Sequence, residues 1–241
     1  MAIGIFDSGL GGLSVLKYVL EKYNDERIVY FADTLNFPYG TKSTEELIGY
    51  GRQIFDFFLE NNVTEVIIAC NTASATMLPT LEKEYSIPII GVIKPISEYI
   101  IQNDIKDITL IATQATINSN AYDALLKDRI KNKVALPELV KCAENMDKIG
   151  AKKVLEENLK GININYMILG CTHFPLLKDV ILEVFPNAKL IDPAKKAVEK
   201  LQVKEDKGGL VLYTSSDADS FYNKAKIILK RTDLDVRLHK W

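Results

Sequence analysis

Two cysteines in this sequence stand at the ends of apolar runs and have similar neighbours. Cys70 lies in Val66-Ile-Ile-Ala-Cys-Asn-Thr-Ala73, and Cys171 lies in Tyr166-Met-Ile-Leu-Gly-Cys-Thr-His-Phe-Pro175. Each pattern predicts a buried strand, then a turn with reactive side chains, then the start of a helix. The chain has only two histidines, and His173 follows Cys171 by two positions. This repeated arrangement is the main indication of chemistry.

Paired thiols can move a proton across a tetrahedral carbon. A free thiol has a pKa of about 8.5, which a helix N-terminus or a nearby cation lowers. Inverting the carbon requires an acid and a base on opposite sides, and in a reversible reaction each group must play both roles. His173 could relay a proton near Cys171, and Asp7 could do so near Cys70. Small polar side chains at predicted strand and helix ends suit a small dianionic or zwitterionic substrate: Ser8, Asn71, Thr72, Thr116 and Thr172.

Structural explanations compete with this hypothesis. A single buried cysteine is usually an inert apolar residue, and the third cysteine, Cys142, is assigned that role. His239 is assigned to packing or the surface, and Tyr39 could be a simple loop aromatic. Asp7 could cap the first helix through the glycine turn that follows it. No metal site is expected, because only Cys171 and His173 approach ligand spacing.

The glycine turn allows a different interpretation. Gly9, Gly11 and Ser14 follow the first predicted strand, and Asp33 ends the second. This order loosely resembles a dinucleotide-binding fingerprint, although a serine replaces the third glycine. A dinucleotide-binding function would leave the cysteine repeat unexplained.

Composition limits the class of protein. The 241 residues are 47% hydrophobic and 26% charged, with a net charge of −2, which gives no electrostatic argument for nucleic acid or a membrane surface. Three cysteines without a recognisable secretion signal favour reduced thiols, and hence the cytoplasm.

Strands alternate with helices along the chain, which predicts an α/β fold built on parallel sheets. In such sheets the ligand crevice lies beyond the carboxyl ends of the strands, where both cysteines are expected. Less regular predictions are a helix over 73–84 that kinks or starts late at Pro79, a helix over 120–131, a weak strand at 133–136, a helix over 176–185 and a linker at 205–209.

Four motifs resemble the glutamate racemase family, within the aspartate/glutamate racemase superfamily. They occur in the family's order and span nearly the whole chain: Gly4-Ile-Phe-Asp-Ser-Gly-Leu-Gly-Gly12, Pro38-Tyr-Gly40, Ala69-Cys-Asn-Thr-Ala-Ser-Ala75 and Gly170-Cys-Thr-His-Phe-Pro-Leu176. The resemblance implies two pseudosymmetric α/β domains, with the active site in the cleft between them. One would comprise 1–94 and 208–241, the other 95–207.

The resemblance also implies roles for individual residues. Cys70 would be the base for D-glutamate and Cys171 the base for L-glutamate, assisted by Asp7 and His173, while Glu144 would tune the His173 side. The substrate site would be lined by Asp7, Ser8, Tyr39, Gly40, Asn71, Thr72, Thr116, Thr172 and His173. No cofactor is implied, many members are dimers, and D-glutamate feeds peptidoglycan synthesis.

Two alternatives remain open from the sequence. The chain could be another two-cysteine racemase or isomerase of the superfamily, such as an aspartate racemase. It could also be a two-lobed amino-acid binding module without chemistry, although paired thiols serve no purpose in simple binding.

Overall fold

The first of two parallel sheets is built from both ends of the chain. The computed structural model describes residues 2–202 and 207–241. Within them the sheet has six strands in the order β10-β9-β2-β1-β3-β4. The strands are β1 (Ala2–Asp7), β2 (Ile28–Ala32), β3 (Val63–Ile68), β4 (Ile89–Gly91), β9 (Leu210–Thr214) and β10 (Asp235–Leu238). All neighbouring strands pair in parallel.

The second sheet is formed by the middle of the chain. Its four strands run in the order β6-β5-β7-β8, again with parallel pairing. They are β5 (Ile108–Ala112), β6 (Ile130–Ala135), β7 (Tyr166–Gly170) and β8 (Lys189–Ile191). The α/β architecture with parallel sheets that the sequence predicts is therefore confirmed.

Helices connect the strands and cover the sheets. They are α1 (Leu13–Lys22), α2 (Thr44–Glu60), α3 (Asn71–Thr76), α4 (Leu78–Glu84), α5 (Ile93–Gln102), α6 (Gln114–Asn118), α7 (Ala121–Leu126), α8 (Pro137–Glu144), α9 (Lys148–Asn158), α10 (Lys178–Val184), α11 (Pro193–Val198) and α12 (Ala218–Leu229). Short 3-10 turns occupy Tyr39–Thr41, Lys127–Arg129 and Phe174–Leu177. Among the described residues, no helix combines the length and apolar character needed to span a bilayer.

Continuous apolar strands explain why the sheets are covered on both faces. Every residue of β1, β2 and β5 is buried, as expected for parallel strands between helical layers. One apolar cluster includes Ile5 of the first sheet and Ile168 of the second, so the two halves share a core. Two further clusters fill the outer faces, one under α2 and the other under α9.

Several elements differ from the sequence prediction, mostly at proline and at strand starts. The break at Pro79 is confirmed, because α3 ends at Thr76 and α4 begins at Leu78. The helix predicted over 120–131 is wrong at its end, since α7 ends at Leu126 and β6 begins at Ile130. The weak strand predicted at 133–136 is confirmed as part of β6, which begins earlier than expected. The helix predicted over 176–185 begins as a 3-10 turn at Phe174.

Three helices, α5, α6 and α8, were not predicted. Both α5 and α8 carry a proline in the first turn, Pro95 and Pro137, where its missing N–H costs nothing. The predicted linker at 205–209 lies partly outside the described residues, which exclude Glu205 and Asp206. Lys207 forms an antiparallel bridge with Glu26.

Candidate active site

Both repeated cysteines line one cavity of about 570 Å³. This volume is within the range of roughly 300–1,000 Å³ of small-molecule sites. The cavity is lined by Ser8, Phe37, Pro38, Tyr39, Gly40, Thr41, Cys70, Asn71, Thr72, Thr113, Gln114, Pro137, Glu138, Val140, Lys141, Cys171, Thr172 and His173.

Each of the two sheets contributes one cysteine to the cavity. Cys70 follows β3 of the first sheet and is the N-cap of α3. Cys171 follows β7 of the second sheet. Both are nearly buried, with exposed fractions of 5% and 6%. Both therefore lie beyond the carboxyl ends of central parallel strands, where α/β proteins bind their ligands.

The surroundings of Cys70 favour the protonated thiol. Its Sγ contacts Ser8 Oγ at 3.7 Å. Burial raises the pKa of the Cys70 thiol, and the negative charge of Asp7 raises it further, to about 12. At neutral pH this group is a thiol, the form that can donate a proton.

Cys171 begins a chain of polar contacts that crosses a buried imidazole. Its Sγ lies 3.6 Å from Nδ1 of His173, and Nε2 of His173 lies 2.7 Å from Oε1 of Glu144. Burial alone would lower the pKa of His173, but the hydrogen bonds to Cys171 and Glu144 outweigh it and raise the pKa to about 10. The imidazolium of His173 therefore places a positive charge beside the sulfur of Cys171.

Glu144 is a carboxylate in this chain of contacts. Burial tends to raise its pKa, but the contacts with His173 and the charge of Lys224 lower the pKa below its ordinary value. It lies at the end of α8, so a helix that the sequence did not predict positions it.

Asp7 holds the glycine turn that precedes α1, as the structural explanation of this residue predicts. Oδ2 accepts hydrogen bonds from the backbone N–H groups of Gly9 and Gly12 at 3.1 and 2.9 Å. Oδ1 accepts a bond of 3.2 Å from the hydroxyl of Thr172, which connects the two halves of the site. Burial raises the pKa of Asp7 to about 6. Its charge acts on Cys70 through space rather than through a hydrogen bond.

The glycine turn accommodates protein side chains rather than phosphates. A Cβ on Gly11 would collide with Oγ1 of Thr172 and lie 2.7 Å from Nδ1 of His173. A Cβ on Gly12 would collide with Asp7. The dinucleotide-binding interpretation is wrong, because this turn packs directly on the cysteine site.

Three threonine hydroxyls meet at the cavity wall. Thr72 comes from the first half, while Thr113 and Thr116 come from the second. Their Oγ1 atoms lie 2.9 to 3.3 Å apart. Thr72 and Thr113 line the cavity, and Thr116 lies behind them. Thr116 is one of the residues predicted to line the substrate site, but the cavity wall is formed here by Thr72 and by Thr113, which directly follows β5.

A buried carboxylate supports the loop that carries Tyr39 and Gly40. The hydroxyl of Tyr39 donates a bond of 2.6 Å to Asp33. Asp33 also accepts a bond of 2.8 Å from Ser215, which follows β9 near the end of the chain. The C-terminal segment thus holds one wall of the cavity, a role that no sequence motif indicated.

The amide of Asn71 is oriented from the opposite half. The buried hydroxyl of Tyr122 on α7 lies 2.7 Å from Oδ1 of Asn71. Among the described residues, Nδ2 of Asn71 has no hydrogen-bond partner, and no buried polar side-chain atom lacks one, so Nδ2 is accessible. Asn71 lines the cavity. The bond from Tyr122 therefore fixes the orientation of this amide in the cavity wall.

Among the charged and amide side chains of the cavity, sequence reasoning did not assign Gln114, Glu138 and Lys141 to the site. They lie on α6 and α8, two helices that were not predicted. Among residues 2–202 and 207–241, no three His, Cys, Asp or Glu side chains are grouped to hold a metal ion.

Comparison with known proteins gives a consistent result. A sequence profile described as Asp/Glu/Hydantoin racemase matches residues 13–201. The glutamate racemase of Aquifex aeolicus is 38% identical over 240 residues, which cover 95% of this chain and 94% of that protein. This level of identity over full length confirms the resemblance that the four motifs indicated.

Solved structures agree with the sequence comparison. A glutamate racemase isoform from Bacillus anthracis has a TM-score of 0.90 and 29% identity, covering 99% of this chain and 97% of that one. The glutamate racemase of Francisella tularensis, solved in complex with D-glutamate, has a TM-score of 0.86 and 29% identity, with coverage of 99% and 97%. The chain therefore belongs to the Asp/Glu/Hydantoin racemase family, and within it to the glutamate racemases.

Proposed function

We propose that this chain interconverts L- and D-glutamate by two-thiol acid–base catalysis. The observation that carries the proposal is the placement of Cys70 and Cys171, one from each sheet, on the wall of a single cavity. Family membership supports glutamate as the substrate. The D-glutamate formed would supply peptidoglycan synthesis.

The two cysteines have different surroundings, which suits one to begin as the base and the other as the acid. With L-glutamate bound, the Cys171 thiolate removes the Cα proton, and the Cys70 thiol donates its proton to the other face. The reverse reaction begins with Cys70 as the base. The raised pKa of Cys70 suits it to donate the proton in this direction, and the imidazolium of His173 places a positive charge beside Cys171, the proposed base.

The remaining predicted site residues are proposed to bind the substrate. Ser8, Tyr39, Gly40, Asn71, Thr72, Thr172 and His173 all line the cavity. Their hydroxyls and amide, with backbone N–H groups, offer donors to two carboxylates and to the negative charge that develops when Cα loses its proton. Asp7 and Thr116 lie behind this wall and are proposed to hold Thr172 and Thr72. The chemistry needs only proton transfer, so the proposal includes no cofactor.

Domain organisation, assembly and location are also proposals. We place the domain boundaries at 94/95 and 207/208. Sheet membership supports one division between β4 and β5 and another between β8 and β9, since β1–β4 and β9–β10 form one sheet and β5–β8 the other. The first boundary falls within the first turn of α5. The family resemblance supports a homodimer. Three free cysteines support a reducing compartment, the cytoplasm.

The direct test is turnover of pure enantiomers. The protein is incubated with L-glutamate without pyridoxal phosphate, and optical rotation is followed together with deuterium uptake at Cα in heavy water. We expect rotation to fall to zero. Turnover of aspartate but not glutamate would contradict the substrate, and binding of glutamate without turnover would support the binding module instead.

Replacing Tyr122 by phenylalanine should weaken substrate binding. The change keeps the ring and removes the donor that orients Asn71, so its amide can rotate. One neutral hydrogen bond contributes about 0.5–1.5 kcal/mol, and we expect KM for glutamate to rise roughly threefold to tenfold, with a smaller effect on kcat. Steady-state kinetics of both enantiomers would measure it.

The matched control for this change is Tyr85→Phe. The Tyr85 hydroxyl donates to Arg52 and Asp56 on the surface, away from the cavity. It should leave KM unchanged. An equal rise in KM for both variants would contradict the role assigned to Tyr122.

A further inference from the structure

One carboxylate joins the Cys171 side of the site to the C-terminal helix. Oε1 of Glu144 lies 2.7 Å from Nε2 of His173 and accepts a bond of 3.4 Å from the backbone N–H of Leu10. Its other oxygen, Oε2, lies 3.5 Å from Nζ of Lys224. Lys224 belongs to α12, which packs against α1 and β9 of the first sheet. A cation from the C-terminal segment thus reaches the relay that ends at Cys171.

This ion pair is only partly open to solvent. The side chain of Glu144 is 15% exposed and that of Lys224 is 35% exposed, while His173 is 2% exposed. The pair borders a separate cavity of about 170 Å³ on the side of α12. Charges in such a position are screened less by water and salt than charges on an open surface.

We propose that Lys224 is a positioning residue for Cys171. By holding Oε2 of Glu144, it fixes the carboxylate so that Oε1 faces His173. Its positive charge also offsets that of the carboxylate, so that the imidazolium of His173 acts on Cys171 as an uncompensated cation. The kinetic part of this inference rests on the proposed function, whereas the part that concerns the Cys171 thiol does not.

The charges around this pair determine the sign of the effect. Glu144 interacts with His173 after β7 and with Tyr30 on β2, and His173 in turn interacts with Cys171 and with Asp7 at the end of β1. Asp217 borders the same cavity, but it accepts a bond from the backbone N–H of Ser220 at the start of α12. Removing the positive charge of Lys224 therefore leaves Glu144 unbalanced and disfavours the thiolate of Cys171.

Titration of the Cys171 thiol tests this directly. In a background with Cys70→Ser and Cys142→Ser, the rate of alkylation by iodoacetamide is measured against pH. Adding Lys224→Met should move the midpoint upward by roughly 0.5 to 1 pH unit, the order expected for the loss of one partly screened charge from the relay. Lys224→Arg keeps the charge and should restore the midpoint.

Lys226→Met is the matched control, because it removes the same charge from the same helix. Lys226 lies over the ring of Tyr222 at 5.4 Å rather than beside Glu144. It should leave the midpoint unchanged. The proposal is overturned if Lys224→Met leaves the midpoint in place, or if Lys226→Met moves it equally.

Kinetics of the full-length protein with its native cysteines give a second readout. Lys224→Met should lower kcat/KM at neutral pH about threefold to tenfold, with recovery at higher pH as the profile moves to the alkaline side. Because the two enantiomers have equal free energies in water, kcat/KM must fall equally in both directions. A wild-type protein inactive on glutamate would refute the proposed function, yet the thiol titration would still decide the role of Lys224.

Discussion

Replacing either Cys70 or Cys171 by alanine should abolish the net interconversion of L- and D-glutamate. Each thiol is the proposed acid or base on one face of Cα, and both line the same cavity. A positioned acid or base accelerates a proton transfer by about 10²–10⁴-fold. Inversion requires one such group on each face of Cα. We expect each variant to lose at least about 10³-fold in kcat/KM. Chiral chromatography of the products would measure the loss.

Cys142→Ala is the matched control for the two cysteine variants. Cys142 lies on α8, is partly exposed and does not line the cavity. Its replacement should leave racemisation close to that of the native chain. Near-normal activity in either the Cys70 or the Cys171 variant would show that the two-thiol mechanism is incorrect.

Isotope exchange can assign each cysteine to its enantiomer. In heavy water, Cys70→Ala retains the thiol proposed to act on L-glutamate, so it should exchange the Cα proton of L-glutamate but not of D-glutamate. Cys171→Ala should show the opposite preference. Exchange with the reversed preference would keep the two-thiol mechanism and exchange the two assignments. Mass spectrometry of each recovered enantiomer gives the result.

The reactive residues could be found from sequence because their signal is local. Each cysteine ends an apolar run, and parallel strands place their carboxyl ends at one edge of a sheet. The runs before Cys70 and Cys171 do form β3 and β7, each inside its sheet. The glycine turn resembled a dinucleotide-binding motif only when it was considered alone. A phosphate would need open space beside the turn, and Thr172 and His173 occupy the space beside Gly11.

The supporting residues could not be found in this way, because they depend on how distant segments pack. Asp33 meets Ser215 and Tyr39, and Tyr122 meets Asn71 across the two halves. No short motif encodes such pairs. The cavity residues of α8 were missed for a related reason: Pro137 was not recognised as the first residue of a helix.

Gly11→Ala should disable the site through packing alone. The new methyl group would collide with Oγ1 of Thr172 and lie 2.7 Å from Nδ1 of His173. Thr172 cannot retreat freely, because its hydroxyl is bonded to Asp7. Overpacking of this kind costs about 1–3 kcal/mol of folding stability. Since a displacement of about 1 Å can cost 10²-fold in rate, we expect kcat/KM to fall by at least that factor.

Gly49→Ala provides the matched control for this change. Gly49 lies within α2, and a Cβ there would meet no atom within 4 Å. Alanine at an open helical position should stabilise the fold by roughly 0.5–1 kcal/mol and leave kcat/KM unchanged. Thermal unfolding and racemisation rates of both variants separate the two effects. If Gly11→Ala retained full activity, the turn would not hold Thr172 and His173 in place, and the contact between the two halves would lose its proposed role in catalysis.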